Sequence, residues 1–127
     1  MSALPALSAA MDVLTPEDYS SDFLDPARTE PEKQALWERY YLDRRVSWTG
    51  WLEDCRSHGS FLHARVRIDV GAARLRLFVA LVPSELQTLL AVRAETPVQV
   101  TGTLARRSAG MRNDWICVDD GRLFAPV

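Results

Sequence analysis

Polar and aromatic residues at every second position mark two neighbouring stretches of the chain as the part most suited to bind a ligand. Between 61 and 70, and again between 74 and 82, they alternate with aliphatic residues. A period of two places alternate side chains on one face of a β-strand. Guanidinium groups bind phosphates and stack on bases, and aromatic rings stack on bases. We therefore expect one nucleic-acid-binding face, built from His63, Arg65, Arg67, Arg74, Arg76 and Phe78.

The elements that position these side chains follow from the same periodicity. Gly71 lies in a short turn, so the two stretches predict a hairpin of the second and third strands. Gly50 offers a bend within the first strand. The predicted strands are 46–52, 61–70, 74–82, 98–104 and 115–118, the last continuing toward Leu123, and a helix of about ten residues is predicted between the third and the fourth.

Two tryptophans are expected in the core. Trp48 alternates with polar residues in the first strand, and Trp115 begins the fifth. Side chains at alternate positions with apolar partners face the interior of a barrel. We therefore assign both rings to the interior, and leave Trp51 on the outer surface as a second stacking group.

The segment Thr96–Leu104 carries a family resemblance. Its Val98-Gln99-Val100-Thr101-Gly102-Thr103-Leu104 resembles the "hydrophobic-x-Val-x-Gly-x-hydrophobic" fourth strand of OB domains in the tRNA-anticodon-binding-like group. Glu95-Thr96-Pro97 replaces the Gly-Asp or Gly-Thr turn usual before that strand. The resemblance implies an all-β fold with minor α: a five-stranded OB-type Greek-key barrel (β-β-β-α-β-β) over 45–127, preceded by an N-terminal helix over 29–44.

The resemblance also implies where a ligand binds. OB domains often bind oligonucleotides on strands two and three and on the loops after strands one and four. Arginines near those loops extend the expected surface. The alternative is that polar residues merely solvate the outside of a barrel. The complete expected set is Trp51, Arg56, His63, Arg65, Arg67, Arg74, Arg76, Phe78, Arg106, Arg107 and Arg112.

Charge divides the chain into two parts. Residues 1–38 carry a net charge of −6 and residues 39–127 a net charge of +4. Residues 1–28 hold three prolines and many small residues without sustained periodicity, which indicates a disordered or loosely docked leader. Thr29-Glu30-Pro31-Glu32 is typical of a helix start with a capping box. The helix that follows carries an aromatic stripe expected to pack on the barrel end: Leu36, Trp37, Tyr40 and Tyr41.

The acidic leader offers apolar anchors set among carboxylates, namely Tyr19, Phe23 and Leu24. Such a segment can fold on a basic partner protein, or lie over this chain's own groove and compete with nucleic acid. Solubilising disorder is the simpler interpretation. A module for protein assembly, using the leader and the aromatic helix, is therefore the alternative to a binder of single-stranded DNA or RNA.

Several functions lack their signatures. No nucleophile elbow, P-loop or Gly-x-Gly-x-x-Gly run is present, so neither catalysis nor a cofactor is expected. Cys55, His58 and His63 lack the second paired knuckle of a zinc site. No apolar run approaches the roughly 20 residues that span a bilayer, and the first residues lack a signal-peptide pattern, so we expect no membrane partner and a cytoplasmic protein.

The sequence leaves the ligand open among DNA, RNA, a protein and, as for some OB domains, a sugar. The nucleic-acid hypothesis depends on the arginines gathering positive potential on one curved surface. Carboxylates that neutralise them one by one would remove its electrostatic basis.

Overall fold

A closed five-stranded barrel dominates the computed structural model, which describes residues 14–58, 61–82, 95–108 and 115–124. The order around the barrel is β1-β2-β3-β5-β4; β3 and β5 are parallel, and the other neighbours are antiparallel. The predicted barrel is confirmed, whereas the predicted helix after β3 lies outside the described residues. The strands are β1 (Arg45–His58), β2 (Phe61–Val70), β3 (Ala73–Leu81), β4 (Thr96–Arg107) and β5 (Trp115–Phe124).

The core is made by alternate residues of every strand, as the period of two predicts. Within β2 and β3 the aliphatic positions point inward and are almost completely buried, while their neighbours face out. Each such side chain contributes roughly 1.5–3 kcal/mol when removed from water. Trp48 is buried as expected, and its Nε1 donates a hydrogen bond to the backbone oxygen of Leu14 at 2.6 Å.

Gly50 lies where the pairing of β1 passes from β4 to β2. A Cβ atom at this position would come within 2.5 Å of the backbone oxygen of Arg67. That distance is too short for any side chain, so only glycine allows the two strands to approach this closely. The predicted bend residue is thus also a packing requirement of the barrel.

Two short helices precede the barrel: α1 (Pro16–Phe23) and α2 (Glu30–Leu36), the second continuing as one π-helical turn, Trp37–Tyr41. Each begins with a capping box, in which a threonine side chain accepts from the backbone at N3 and the N3 carboxylate accepts from the threonine backbone. The threonines are Thr15 and Thr29. The backbone hydrogen bond from Thr29 holds the pKa of the Glu32 carboxyl below its usual range.

The expectation of a disordered or loosely docked leader is wrong for residues 14–28. Tyr19 and Phe23 are completely buried, and their rings pack on Tyr41 with centroids 6.0 and 4.9 Å away. Aromatic side chains bury large areas, so two of them one helical turn apart are enough to dock an eight-residue helix. Residues 1–13 lie outside the described part of the chain.

The first strand is longer than predicted. The predicted strand ends at Leu52, but β1 continues to His58. A β-bulge between Leu52 and Asp54 hides the strand from a search for alternation, because it places two polar residues in succession on the outer side. The residues that follow include Ser57, Gly59 and Ser60, whose types are common in turns, so the local sequence favours a turn over a strand.

Candidate nucleic-acid interface

Cross-strand register collects most of the expected binding residues on one outer surface. Arg65 pairs with Phe78, Arg67 with Arg76, and Trp51 with Arg67. Paired residues project to the same side of a sheet with Cβ atoms about 5 Å apart. We call the surface so formed the arginine face; its members are Trp51, Arg56, His63, Arg65, Arg67, Arg74, Arg76 and Phe78.

Glu53, which was not among the expected binding residues, lies at the centre of this face. Its carboxylate oxygens are 3.4 Å from Arg65 Nε, 3.7 Å from Arg67 Nη1 and 3.2 Å from Arg76 Nε. The Arg76 contact is also a hydrogen bond. The Glu53 side chain is only 15% exposed, so solvent screens these contacts less than it screens an open surface pair.

Further carboxylates compensate the remaining arginines. Asp69 lies 3.1 Å from Arg74 Nε and 3.5 Å from Arg67 Nε, and Glu95 lies 3.6 Å from Arg67 Nη1. Four arginines, Arg65, Arg67, Arg74 and Arg76, therefore face three carboxylates, which leaves a net charge of +1 among these described groups. The expectation of strong positive potential on this face is wrong.

Arg56 has its own carboxylate partner. Its Nε donates to Asp54 Oδ2 at 2.8 Å, and this hydrogen bond holds the pKa of the Asp54 carboxyl below its usual range. The arginine side chain remains 68% exposed. Because ion pairs this exposed contribute about 0–1 kcal/mol, Arg56 can exchange its partner for a phosphate at small cost.

An aromatic pair gives the face its stacking surface. Phe78 is 40% exposed, and its ring meets Trp115 edge to face with centroids 5.3 Å apart. The expectation that Trp115 lies in the core is wrong: Ile116 is the inward residue, and Trp115 is half-buried on the outside. The parallel pairing of β5 with β3 sets this orientation by placing Trp115 beside Arg76.

Two open depressions adjoin Phe78 and share His63 in their lining. One, of about 220 Å³, continues toward Arg56 and Arg65. The other, of about 180 Å³, continues toward Arg106 and Cys117, whose Sγ accepts from Arg106 Nη2 at 3.8 Å. Arg106, expected in the loop after the fourth strand, thus lies within β4 and beside the arginine face.

Arg107 does not belong to the interface. Its side chain is 2% exposed, Nη2 donates to Glu30 and Gln34, and the guanidinium lies over the Phe23 ring at 5.3 Å from the ring centroid. The expectation that it contacts nucleic acid is therefore wrong for this structure, because β4 turns it toward α2 while Arg106 faces solvent. Arg112 lies outside the described residues.

The expected partner-binding anchors are occupied by the fold itself. Tyr19 and Phe23 are fully buried, and Leu24 packs partly against the same core. A side chain without exposed surface cannot anchor a partner unless α1 leaves the barrel. The expectation of a partner site at these residues is therefore wrong for the docked helix.

The cysteines and histidine do not form a metal site in the described part of the chain. No group of three or more His, Cys, Asp or Glu side chains there is placed to hold a metal ion. Cys55 packs partly against the core, and burial raises the pKa of its thiol. Nor does any helix among the described residues have the length and apolar character needed to cross a bilayer.

Comparison with known proteins gives structural neighbours. No family model and no curated protein matches the sequence. A putative nucleic acid-binding lipoprotein from Klebsiella pneumoniae subsp. pneumoniae is similar in structure, with 14% identity, a TM-score of 0.56, and coverage of 92% of this chain and 96% of that chain. This chain has an OB fold.

Two further OB-fold neighbours are more distant. A putative aspartyl-tRNA synthetase from Leishmania major Friedlin is 13% identical, with a TM-score of 0.47; the match covers 73% of this chain but only 20% of that chain. A Replication Protein A heterotrimer bound to single-stranded DNA is 14% identical, with a TM-score of 0.41 and coverage of 65% of this chain and 57% of the other. With TM-scores below 0.5, these two matches add nothing to the fold assignment.

The OB fold gives the arginine face its context. OB domains often bind oligonucleotides on strands two and three, where Arg65 and Phe78 lie here. Glu53 was not among the expected binding residues, because a carboxylate that follows Leu52 looks like any exposed acid. Its signal was the pair Glu53-Asp54, which breaks the alternation and is typical of a bulge.

Proposed function

We propose that this OB-fold chain is a non-enzymatic binder of single-stranded DNA or RNA that holds bases mainly by stacking. The exposed Phe78 ring, supported edge-on by Trp115 between two depressions, carries the proposal. Stacking of a base on an aromatic side chain contributes roughly 1–3 kcal/mol and tolerates any base. Sequence preference is therefore expected to be weak.

Phosphate contacts in this proposal come mainly from the exposed arginines. Arg56, Arg65, Arg74 and Arg106 are exposed and border the aromatic pair or the hairpin. Arg67, at 19% exposure and shared among three carboxylates, is held by the protein instead. With few free cations and one aromatic pair, the affinity is expected to be modest.

A titration tests the proposal. Fluorescence anisotropy of labelled single strands of about 15 nucleotides, long enough for one OB site, is followed at about 50 mM salt, with a duplex of equal length as the control. The expected result is a dissociation constant on the order of 1–100 µM, with the single strand preferred. An unchanged anisotropy up to about 100 µM protein, the weak limit of nonspecific binding, would overturn it.

A second candidate function is a protein-interaction module that uses the arginine face. The observation in its favour is the charge compensation around Glu53, since interface centres combine aromatic residues and arginine with little net charge. In this case neither single strands nor duplexes raise the anisotropy. The same titration therefore separates the two functions.

A further inference from the structure

We infer that Arg65, Arg67 and Arg76 form an anion-binding cradle whose resident anion is the protein's own Glu53 carboxylate. A phosphodiester of a bound strand is the external anion that fits the cradle, and Glu53 competes with it. The inference rests on the proposed function and adds a residue that sets how much electrostatic attraction the arginine face exerts on a phosphate.

The geometry of the cradle is that of a phosphate site. Three guanidinium groups from two neighbouring strands converge on two oxygen atoms at 3.2 to 3.7 Å. Arginine forks suit carboxylate and phosphate oxygens equally well. The β-bulge is what delivers the carboxylate, because it places Glu53 as well as Asp54 on the outer side of β1.

Glu53 does not use all the donors of the cradle. Of its three arginine contacts, the one with Arg76 Nε is a hydrogen bond at 3.2 Å, and those with Arg65 and Arg67 are longer ion pairs. Within the described chain, the buried Nε of Arg67 makes no hydrogen bond and lies 3.5 Å from Asp69 Oδ2. A buried donor without a hydrogen bond is costly, so the cradle retains donor capacity that its present carboxylates do not satisfy.

The position of the cradle makes competition effective. Arg65, one of its members, pairs with Phe78 across β2 and β3 and lines the depression beside that ring. A base stacked on Phe78 brings its phosphate toward Arg65. Glu53 is paired with the same guanidinium. Either its carboxylate is displaced from Arg65, or the phosphate binds close to another negative charge, and each of these lowers the affinity for the strand.

Replacement of the carboxylate by its amide tests the inference. Glu53→Gln keeps the shape and removes one charge; Glu17→Gln, at an exposed acid in the first turn of α1, removes the same charge from a residue outside the cradle. Oligothymidylate of about 15 nucleotides is titrated with both variants and the wild type at several salt concentrations. Circular dichroism verifies that each variant is folded.

The expected result is that E53Q binds roughly tenfold more tightly at low salt, the order expected when one like charge is removed about 5 Å from a phosphate. The slope of log K against log salt becomes steeper by about 0.7, as for one more neutralised phosphate on a single strand. E17Q behaves as the wild type. Adding R76Q to E53Q restores the charge balance and returns both quantities toward the wild-type values.

The outcomes separate this inference from the proposed function. If the wild type binds the oligonucleotide and E53Q binds it no more tightly, the cradle is overturned and the proposed function is unaffected. If E53Q binds and the wild type does not, the cradle is supported and the proposed function is overturned. If neither protein binds, both are overturned. If E53Q fails to fold, Arg65→Gln must weaken binding more than Arg45→Gln, at an exposed arginine that begins β1 in register with Thr103 of β4, or the inference is overturned.

Discussion

Arg107, the last residue of β4, donates a hydrogen bond from Nη2 to Oε2 of Glu30 at 2.8 Å, across 77 positions of sequence. The contact joins the first turn of α2 to the barrel, and the Phe23 ring beneath the guanidinium extends the connection to α1. A guanidinium that is 2% exposed depends on such partners, because an uncompensated buried charge is strongly destabilising. Arg107 therefore fastens the N-terminal helices.

Glu30→Gln is expected to lower the free energy of unfolding by about 1–3 kcal/mol, the usual cost of weakening a charged hydrogen bond to a buried group. Glu17→Gln is the matched control, since it also removes an acid from the first turn of a helix, and should cost under about 0.5 kcal/mol. Urea unfolding measures both. Equal stabilities of the two variants would show that Glu30 does not hold Arg107.

Phe78→Ala is expected to weaken oligonucleotide binding by about 1–3 kcal/mol, because it removes the stacking surface. Phe124→Ala is the control: Phe124 is 45% exposed, against 40% for Phe78, but lies at the end of β5 in register with Gln99 of β4. It should leave affinity unchanged. If both variants bind equally, bases do not stack on Phe78.

Salt should affect binding only moderately. The arginines exposed around the aromatic pair and the hairpin are Arg56, Arg65, Arg74 and Arg106, and each phosphate neutralised on a single strand contributes about −0.7 to the slope of log K against log salt. We therefore expect a slope no steeper than about −3 for the wild type. A slope of about −5 or steeper would mean that the arginine–carboxylate ion pairs of the arginine face separate on binding, so that more arginines contact phosphates.

The buried hydroxyl of Tyr41 should make the protein less stable at alkaline pH. Burial, followed by the 2.5 Å hydrogen bond to Asp22 and the nearby carboxylates, raises the pKa of Tyr41 far above its ordinary value. The folded state thus favours the neutral ring, so stability is complete below the unfolded-state pKa of about 10 and falls as the pH rises above it.

Tyr41→Phe should show a shallower decline above pH 10, together with a cost of about 1 kcal/mol at neutral pH for the lost hydrogen bond to Asp22. Chemical unfolding at a series of pH values measures both quantities. An unchanged alkaline decline in the variant would contradict the assignment of the decline to Tyr41.

Alternation along the chain was enough to predict five barrel strands and, in β2 and β3, which residues face inward. In β2 and β3 the alternation of Val66, Ile68, Leu75 and Leu77 with polar residues is a local consequence of strand geometry, so it can be read without knowing any partner strand. The helix start at Thr29 is equally local, because a capping box spans only four residues. The same pattern at Thr15-Pro16-Glu17-Asp18 would have predicted α1.

The surroundings of the arginine face depend on contacts between segments that are distant in the sequence. The side of β5 on which Trp115 lies follows from its pairing with β3, and the burial of Arg107 follows from the docking of α2. The three arginines around Glu53 meet it because a bulge and two strand registers coincide. Charge compensation depends on the distances between charged groups on different strands. The sequence shows which residues are charged but not how far apart they lie.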